Sequence, residues 1–104
     1  MMVIFNLYKS DKPTKKFMIK YINPDTEREK TIYFGAANMS DYTIHKSDER
    51  KNMYIRRHSG MGEDWDDPTT AGFYAKNLLW NKKTLAESIK DTNKKYNIKI
   101  VKKR

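Results

Sequence analysis

The chain has 104 residues, no cysteine and a formal net charge of +9. This length allows one hydrophobic core and excludes a second, so we expect a single domain over residues 1–104. The absence of cysteine excludes disulfides and thiolate metal sites, and it fits a reducing, intracellular compartment. No apolar run approaches the roughly 20 residues of a membrane-spanning helix, and the first residues do not resemble a signal peptide. We therefore expect a soluble protein that does not contact a membrane.

Basic side chains are concentrated in the two outer parts of the chain. Residues 1–60 carry a net charge of +5, residues 61–80 one of −3 and residues 81–104 one of +7. A positive field of this kind attracts polyanions, although it also favours solubility. Lysine outnumbers arginine 17 to 5, and lysine provides a point charge rather than the bidentate contact that reads base edges. The composition therefore favours a polyanionic partner that is bound without recognition of its base sequence.

The first third of the chain has the alternation that is typical of β-strands. Pro24 suits a tight turn between two alternating runs, and Gly35 ends the second of them. Together with the apolar first residues, these runs predict an N-terminal β-hairpin within a small antiparallel sheet from residues 2 to 34. The predicted strand segments are residues 1–10, 15–22 and 30–36.

Helix signals begin at Ser47 and recur to the end of the chain. Ser47 can cap a first helix, Asp67-Pro68 is a typical helix start, and Thr84 with Glu87 forms a capping box. The last residues alternate isoleucine with lysine, as a short strand does. The sequence therefore predicts an α+β fold, in which a small antiparallel sheet packs against three helices and gains a short C-terminal strand. The predicted helices span residues 47–58, 68–81 and 85–96, and the last strand spans residues 98–102.

The histidines and the acidic segment GEDWDD (62–67) are the candidates for catalysis. His45 and His58 lie thirteen residues apart, which is not a zinc-ligand spacing, so we interpret each as a hydrogen-bonding residue near a helix end. The four carboxylates of the acidic segment could serve a metal-dependent nuclease. Acids near a helix start are more often structural, and here they could pair with Arg56 and Arg57. We expect no catalytic residue, no metal and no cofactor.

The second predicted helix carries two opposed apolar stripes. Phe73 and Trp80 form the smaller stripe, with Lys76 between them. A helix of this kind is either covered on both sides or offers one side to a partner. The smaller stripe could therefore form an interface, together with Tyr54 of the first helix, or stack on the bases of a single strand. A place in the core is favoured, because a small domain needs its aromatic residues inside.

Basic residues interleaved with aromatic ones are the clearest functional signal. One basic set lies on the first predicted helix within reach of Tyr54, and another lies near the C-terminus within reach of Tyr96. This pattern suits phosphate contact combined with base stacking. The predicted nucleic-acid-binding residues are Arg50, Lys51, Arg56, Arg57, Lys94, Lys95, Lys99, Lys102 and Lys103.

A series of short motifs occurs in a fixed order over about residues 29–98. The motifs are Phe34-Gly35, Ser40-Asp41-Tyr42-Thr43 with His45, Arg57-His58, Trp65, Thr70-Ala71-Gly72-Phe73, Leu78-Leu79-Trp80-Asn81 and Thr84-Leu85. In this order they resemble a family of small basic proteins from nucleocytoplasmic large DNA viruses that has no assigned activity. The resemblance implies a setting in the virion, or in the host cytoplasm or nucleus, and no catalytic residues. The acidic segment 60–67 departs from the basic linker of that family, so no nucleic-acid surface is expected there.

Taken together, these features predict a non-enzymatic viral protein that binds DNA or RNA through lysine and arginine and is packaged with the genome. The alternative is a minor structural component that meets acidic surfaces of other viral structural proteins through its basic face. A metal-dependent nuclease is the third hypothesis. The sequence leaves the oligomeric state open.

Overall fold

The computed structural model describes residues 3–59 and 65–103. Over these residues the chain forms four strands and four α-helices, and a π-helical segment continues the third helix. None of these helices is long and apolar enough to cross a membrane. The strands are β1 (Ile4–Lys9), β2 (Lys15–Ile22), β3 (Glu29–Ala36) and β4 (Lys99–Lys102). The helices are α1 (Tyr42–His45), α2 (Asp48–Ser59), α3 (Ala71–Tyr74) and α4 (Leu85–Tyr96), and the π-helical segment is Ala75–Leu79.

The strands form one mixed sheet in the order β3-β2-β1-β4. The β1–β2 and β2–β3 pairs are antiparallel, whereas β4 runs parallel to β1 with Leu7 opposite Lys102. The α+β class, the hairpin and the C-terminal strand are thus confirmed. The predicted antiparallel pairing holds for β1, β2 and β3, whereas the complete sheet is mixed because β4 is parallel to β1. The chain passes from β3 through the helices to β4, and a crossover of this kind is the connection that parallel strands require.

One face of the sheet packs against α3, the π-helical segment and α4 to form the core. Tyr74 lies at its centre, with its ring 5.6 Å from that of Phe34 and 6.3 Å from that of Phe5. The Tyr74 hydroxyl donates to the carbonyl of Pro68 at 2.7 Å, so this buried polar group is satisfied. The core residues are Phe5, Leu7, Ile19, Tyr21, Phe34, Phe73, Tyr74, Leu78, Leu79 and Ile100.

The connection from β3 to α2 contains a short helix, α1, that the sequence did not predict. Asp41 caps it by accepting hydrogen bonds from the backbone N–H and the hydroxyl of Thr43, at 2.9 and 2.5 Å. The same carboxylate pairs with Nζ of Lys16 at 2.5 Å and so ties α1 to β2. The predicted cap of the next helix is confirmed, since the Ser47 hydroxyl accepts from the Arg50 N–H at 3.3 Å.

The second predicted helix begins later than expected. Asp67 accepts hydrogen bonds from the backbone and the hydroxyl of Thr69, at 2.9 and 2.6 Å, which close a local turn instead of capping a helix. Thr70 caps α3, because its hydroxyl accepts from the Phe73 N–H at 3.3 Å. The start at Asp67-Pro68 is therefore wrong, whereas the capping box at Thr84 is confirmed as the start of α4.

Asn77 fastens the π-helical segment to its surroundings. Its buried side-chain amide donates to the carbonyls of Phe73 and Trp65, at 2.9 and 3.0 Å. Its backbone carbonyl accepts from the hydroxyl of Thr92 in α4, at 3.2 Å. The amide and the backbone carbonyl of Asn77 are therefore both paired, as burial requires.

Candidate nucleic-acid interface

Six lysines line one groove at the edge of the sheet. The groove has a volume of about 780 Å³ and lies where the β1–β2 connection meets the end of β4 and the start of α1. Its apolar floor includes Leu7, Phe17 and Ile44. We call it the lysine groove; its cations are Lys9, Lys12, Lys15, Lys16, Lys102 and Lys103.

The parallel pairing of β4 with β1 brings the two ends of the chain together in this groove. Leu7 lies opposite Lys102, and the Lys103 N–H donates to the Leu7 carbonyl at 2.7 Å. The C-terminal lysines therefore lie beside those that flank Pro13 in the β1–β2 connection. This clustering concentrates positive potential in a concave surface, where low-dielectric walls strengthen it.

Most of the groove's charge has no partner of opposite sign. Lys16 pairs with the buried carboxylate of Asp41. Within residues 3–59 and 65–103 this is the one pair at salt-bridge distance. The remaining five lysines of the groove are accordingly available to a bound anion, and all five are exposed: Lys9, Lys12, Lys15, Lys102 and Lys103.

The basic residues predicted on the first helix have different environments. Arg50 and Arg57 are exposed and line a smaller groove of about 210 Å³ together with Trp80. Arg56 is exposed as well. Lys51 is half-buried, and its Nζ donates to the carbonyl of Asn81 at 2.6 Å and lies 4.9 Å from the centre of the Tyr42 ring. Lys51 therefore fastens α2 to the chain after the π-helical segment.

The predicted C-terminal set is divided by the fold. Lys102 and Lys103 belong to the lysine groove. Lys94 and Lys95 are exposed in the last turn of α4, where cations suit the helix dipole, and the ammonium group of Lys95 lies 5.4 Å from the Tyr96 ring centre. Lys99 is exposed on β4. The nine predicted residues thus form several patches, and two of them line the lysine groove.

The aromatic residues proposed as an interface are mostly internal. Phe73 has no exposed surface and lies in the core, which agrees with the favoured interpretation. It cannot contact a partner in this conformation. Lys76 lies over the Trp65 ring at 5.4 Å, and its pKa is lowered chiefly by burial. Lys76 and Trp80 are half-buried, and Trp80 is the one of the three aromatic residues that retains surface, where it lines the smaller groove.

Both histidines pack against the stacked pair Tyr54 and Trp80. The Tyr54 and Trp80 rings stack at 4.3 Å with an angle of 3°, and His58 stacks on Tyr54 at 4.2 Å. His45 lies 5.3 Å from Trp80. Since two rings stack on Tyr54, both of its faces are occupied and no base can stack there. These contacts hold α2 against the body of the protein.

His45 is the histidine with the unusual environment. Its Nδ1 accepts from the Ser47 N–H at 2.9 Å, which places the proton of the neutral ring on Nε2. That Nε2 is buried and finds no hydrogen-bond partner in the part of the chain that the structure describes. Burial lowers the pKa of His45, and the nearby charge of Arg50 lowers it further.

The two acids of the GEDWDD segment that the structure describes have structural roles. The Asp66 carboxylate accepts from the Tyr96 hydroxyl at 2.8 Å, and Asp67 holds the turn before α3. Hydrogen bonds from Thr69 lower the pKa of Asp67. Glu63 and Asp64 lie outside the described residues. Within those residues, no three histidine or carboxylate side chains lie close enough to share a metal ion.

Sequence reasoning missed four cations of the lysine groove. Lys9, Lys12, Lys15 and Lys16 are close in sequence around a turn with Pro13. Their closeness in the sequence could have been used to predict a basic loop at this position. Their meeting with the C-terminal lysines could not be read from it, because that meeting depends on the pairing of β4 with β1.

The comparison with protein families gives one match. The model of a family of unknown function (DUF5754) matches residues 5–58, just over half of the chain. The chain belongs to this family. The DUF5754 match runs from β1 through nearly all of α2, so it includes the four lysines of the β1–β2 connection and ends before α3, α4 and β4.

The DUF5754 match confirms that the chain belongs to an uncharacterised family, as the resemblance implied. It overlaps residues 29–58 of the resemblance and extends it to the first two strands. The viral setting is not part of the family description and stays a prediction. Neither the curated proteins nor the solved structures include a match to the chain.

Proposed function

We propose that this protein binds nucleic acid without reading its sequence and has no catalytic activity of its own. The observation that carries the proposal is the lysine groove, in which six lysines meet and one has a carboxylate partner among the described residues. Further exposed cations lie outside the groove, namely Arg50, Arg56 and Arg57 on α2 and Lys94, Lys95 and Lys99 near the C-terminus.

The chemistry of these groups suits a phosphate backbone. An ammonium group that approaches a phosphate releases the counterions condensed on the nucleic acid, and this release supplies most of the free energy of sequence-independent binding. Lysine attracts phosphate as a point charge from many directions, whereas base reading requires a rigid donor pair. A groove lined by lysines with an apolar floor therefore favours backbone contact over recognition of particular bases.

A titration with salt tests the proposal. Fluorescence anisotropy with labelled oligonucleotides of two unrelated sequences should give similar affinities for both. The logarithm of the binding constant should fall linearly with the logarithm of the salt concentration, with a slope of about −0.7 for each phosphate contacted in a single strand. Absence of binding even at low salt would rule the proposal out.

A role as a minor structural protein is the second candidate, and one observation favours it. Met39 and Met53 are exposed, at 63% and 55%, and both line the smaller groove beside Arg50, Arg57 and Trp80. Exposed apolar side chains next to arginines are typical of protein interfaces. In the viral setting that the resemblance implies, fixed stoichiometry in particles emptied of their genome would support this role over genome binding.

A further inference from the structure

The face of the sheet that points away from the helices carries a row of side chains suited to stacking. Tyr8, Met18 and Tyr33 lie opposite one another on β1, β2 and β3, so they form one row across three adjacent strands. Their chain neighbours Leu7, Ile19 and Phe34 point into the core, which places the row on the opposite face. We call this face the open face.

The two tyrosines of the row have exposed ring surface. Tyr8 and Tyr33 are each partly exposed, and Met18, at 8% exposure, fills the space between them. Ile4 and Ile22, on the same face, are 45% and 52% exposed. The hydrophobic cluster between the sheet and the helices does not include these side chains, because it lies on the other side of the sheet. Adjacent strands are about 4.8 Å apart, so the backbones at Tyr8 and Tyr33 lie about 10 Å from each other.

Cations accompany both rings. Nζ of Lys12 lies 4.2 Å from the centre of the Tyr33 ring, and Nζ of Lys20 lies 6.0 Å from that of Tyr8. A base that stacks on either ring takes the place of an ammonium group, which can then move to the adjoining phosphate on its flexible stem. Two acids lie at this surface. Asp11 accepts from the Tyr33 hydroxyl at 2.8 Å and so fixes the ring, and Glu29 lies opposite Ile22 at the end of β3.

The open face is continuous with the lysine groove. Tyr8 and Lys12 both line that groove. Tyr8 is also part of the row, and Nζ of Lys12 lies over the ring of Tyr33 in the same row. The next row of the open face carries Asn6, Lys20 and Thr31, whose side chains can form hydrogen bonds with base edges. A strand with its phosphates in the groove can therefore lay its bases on the tyrosines.

We propose that the open face stacks unpaired bases on Tyr8 and Tyr33, so that the nucleic acid bound by this protein is single-stranded. The physical basis is general, because every base has a stacking face, whereas the bases of a duplex are already stacked on each other. This inference rests on the proposed function and adds to it the class of nucleic acid.

The test replaces both rings and keeps the charge. In Tyr8→Val/Tyr33→Val the β-branched side chain retains strand propensity, and Tyr8→Phe/Tyr33→Phe is the matched control that keeps the rings. Anisotropy is measured with a single strand of about 15 nucleotides, an abasic strand of the same length and charge, and a duplex. Thermal melts followed by circular dichroism check folding; if the valine variant does not fold, each single valine substitution takes its place.

The expected result is that the wild type binds the single strand more tightly than the abasic strand or the duplex. The valine variant should lose about fivefold to 150-fold in affinity for each ring removed, for the single strand alone. The phenylalanine variant should keep the affinity of the wild type. Equal binding of normal and abasic strands, or equal loss on strand and duplex, would overturn the stacking proposal while leaving phosphate binding in place. Absence of all binding would overturn both proposals, and preference for an acidic protein surface would favour the structural role.

Discussion

Neutralising three lysines of the groove should change the salt dependence of binding in a calculable way. Lys9, Lys15 and Lys103 line the groove, are exposed and have no carboxylate within salt-bridge distance among the described residues. Changing all three to glutamine should therefore leave the fold intact. If the five unpaired lysines of the groove each contact a phosphate, the slope of log K against log salt is about −3.5 for a single strand, and the triple variant should show about −1.4.

These slopes predict a large difference over an accessible range of salt. From about 50 to 200 mM the wild type should lose affinity about 130-fold, whereas the triple variant should lose it about sevenfold. The control carries Lys30→Gln, Lys83→Gln and Lys90→Gln, which remove the same charge from exposed positions outside the groove. Both variants are titrated by anisotropy with one labelled strand. If the control loses as much slope as the groove variant, binding follows net charge alone and the groove has no special role.

Three further predictions concern the fold. Asn77→Ala removes the buried amide that donates to two carbonyls and should lower the free energy of unfolding by about 2–4 kcal/mol in a urea titration; a loss below about 1 would contradict the assigned role. Gly35 has φ +77°, and a Cβ there would lie 2.8 Å from Cδ1 of Leu79, so Gly35→Ala should cost about 1–3 kcal/mol in the same assay, and an unchanged midpoint would refute the clash. The pKa of His45 is lowered from 6.5 in the fold, so its neutral form stabilises the protein above that pH and the stability is lost as the pH falls through the folded pKa. The melting temperature of the wild type should therefore decrease more than that of His45→Gln between about pH 7.5 and 5, and parallel curves would rule this out.

The position of the family match bears on how the two proposed surfaces are built. Residues 5–58 contain the lysines of the β1–β2 connection and the whole Tyr8–Met18–Tyr33 row. The matched segment leaves out β4, which pairs with β1 and adds Lys102 and Lys103 to the groove. The row of Tyr8, Met18 and Tyr33 thus lies entirely within the matched segment, whereas the lysine groove needs both parts of the chain.

Features that depend on neighbouring residues were predicted well. The strand alternation from Phe17 to Tyr21 and the caps at Ser47 and Thr84 act over two to four positions, and each is found in the structure. The predicted helix start at Asp67 was wrong, although it also depends on neighbouring residues. An aspartate at this position can either cap a helix or close a turn, and Asp67 closes a turn with Thr69. Helix α1 was missed because it is four residues long and depends on Lys16, which is distant in sequence, to hold its cap.

By itself, the sequence determined the class of secondary structure along most of the chain, the net positive charge and the amphipathic character of each strand. Only the tertiary structure decided that β4 lies parallel to β1, that Lys102 meets Lys9 in one groove, and that both histidines pack against the Tyr54–Trp80 pair. The physical reason is the sequence separation over which each kind of interaction acts. Backbone alternation and capping are satisfied between residues a few positions apart, whereas the partner and direction of a strand are set by which arrangement buries the most apolar surface of the whole chain.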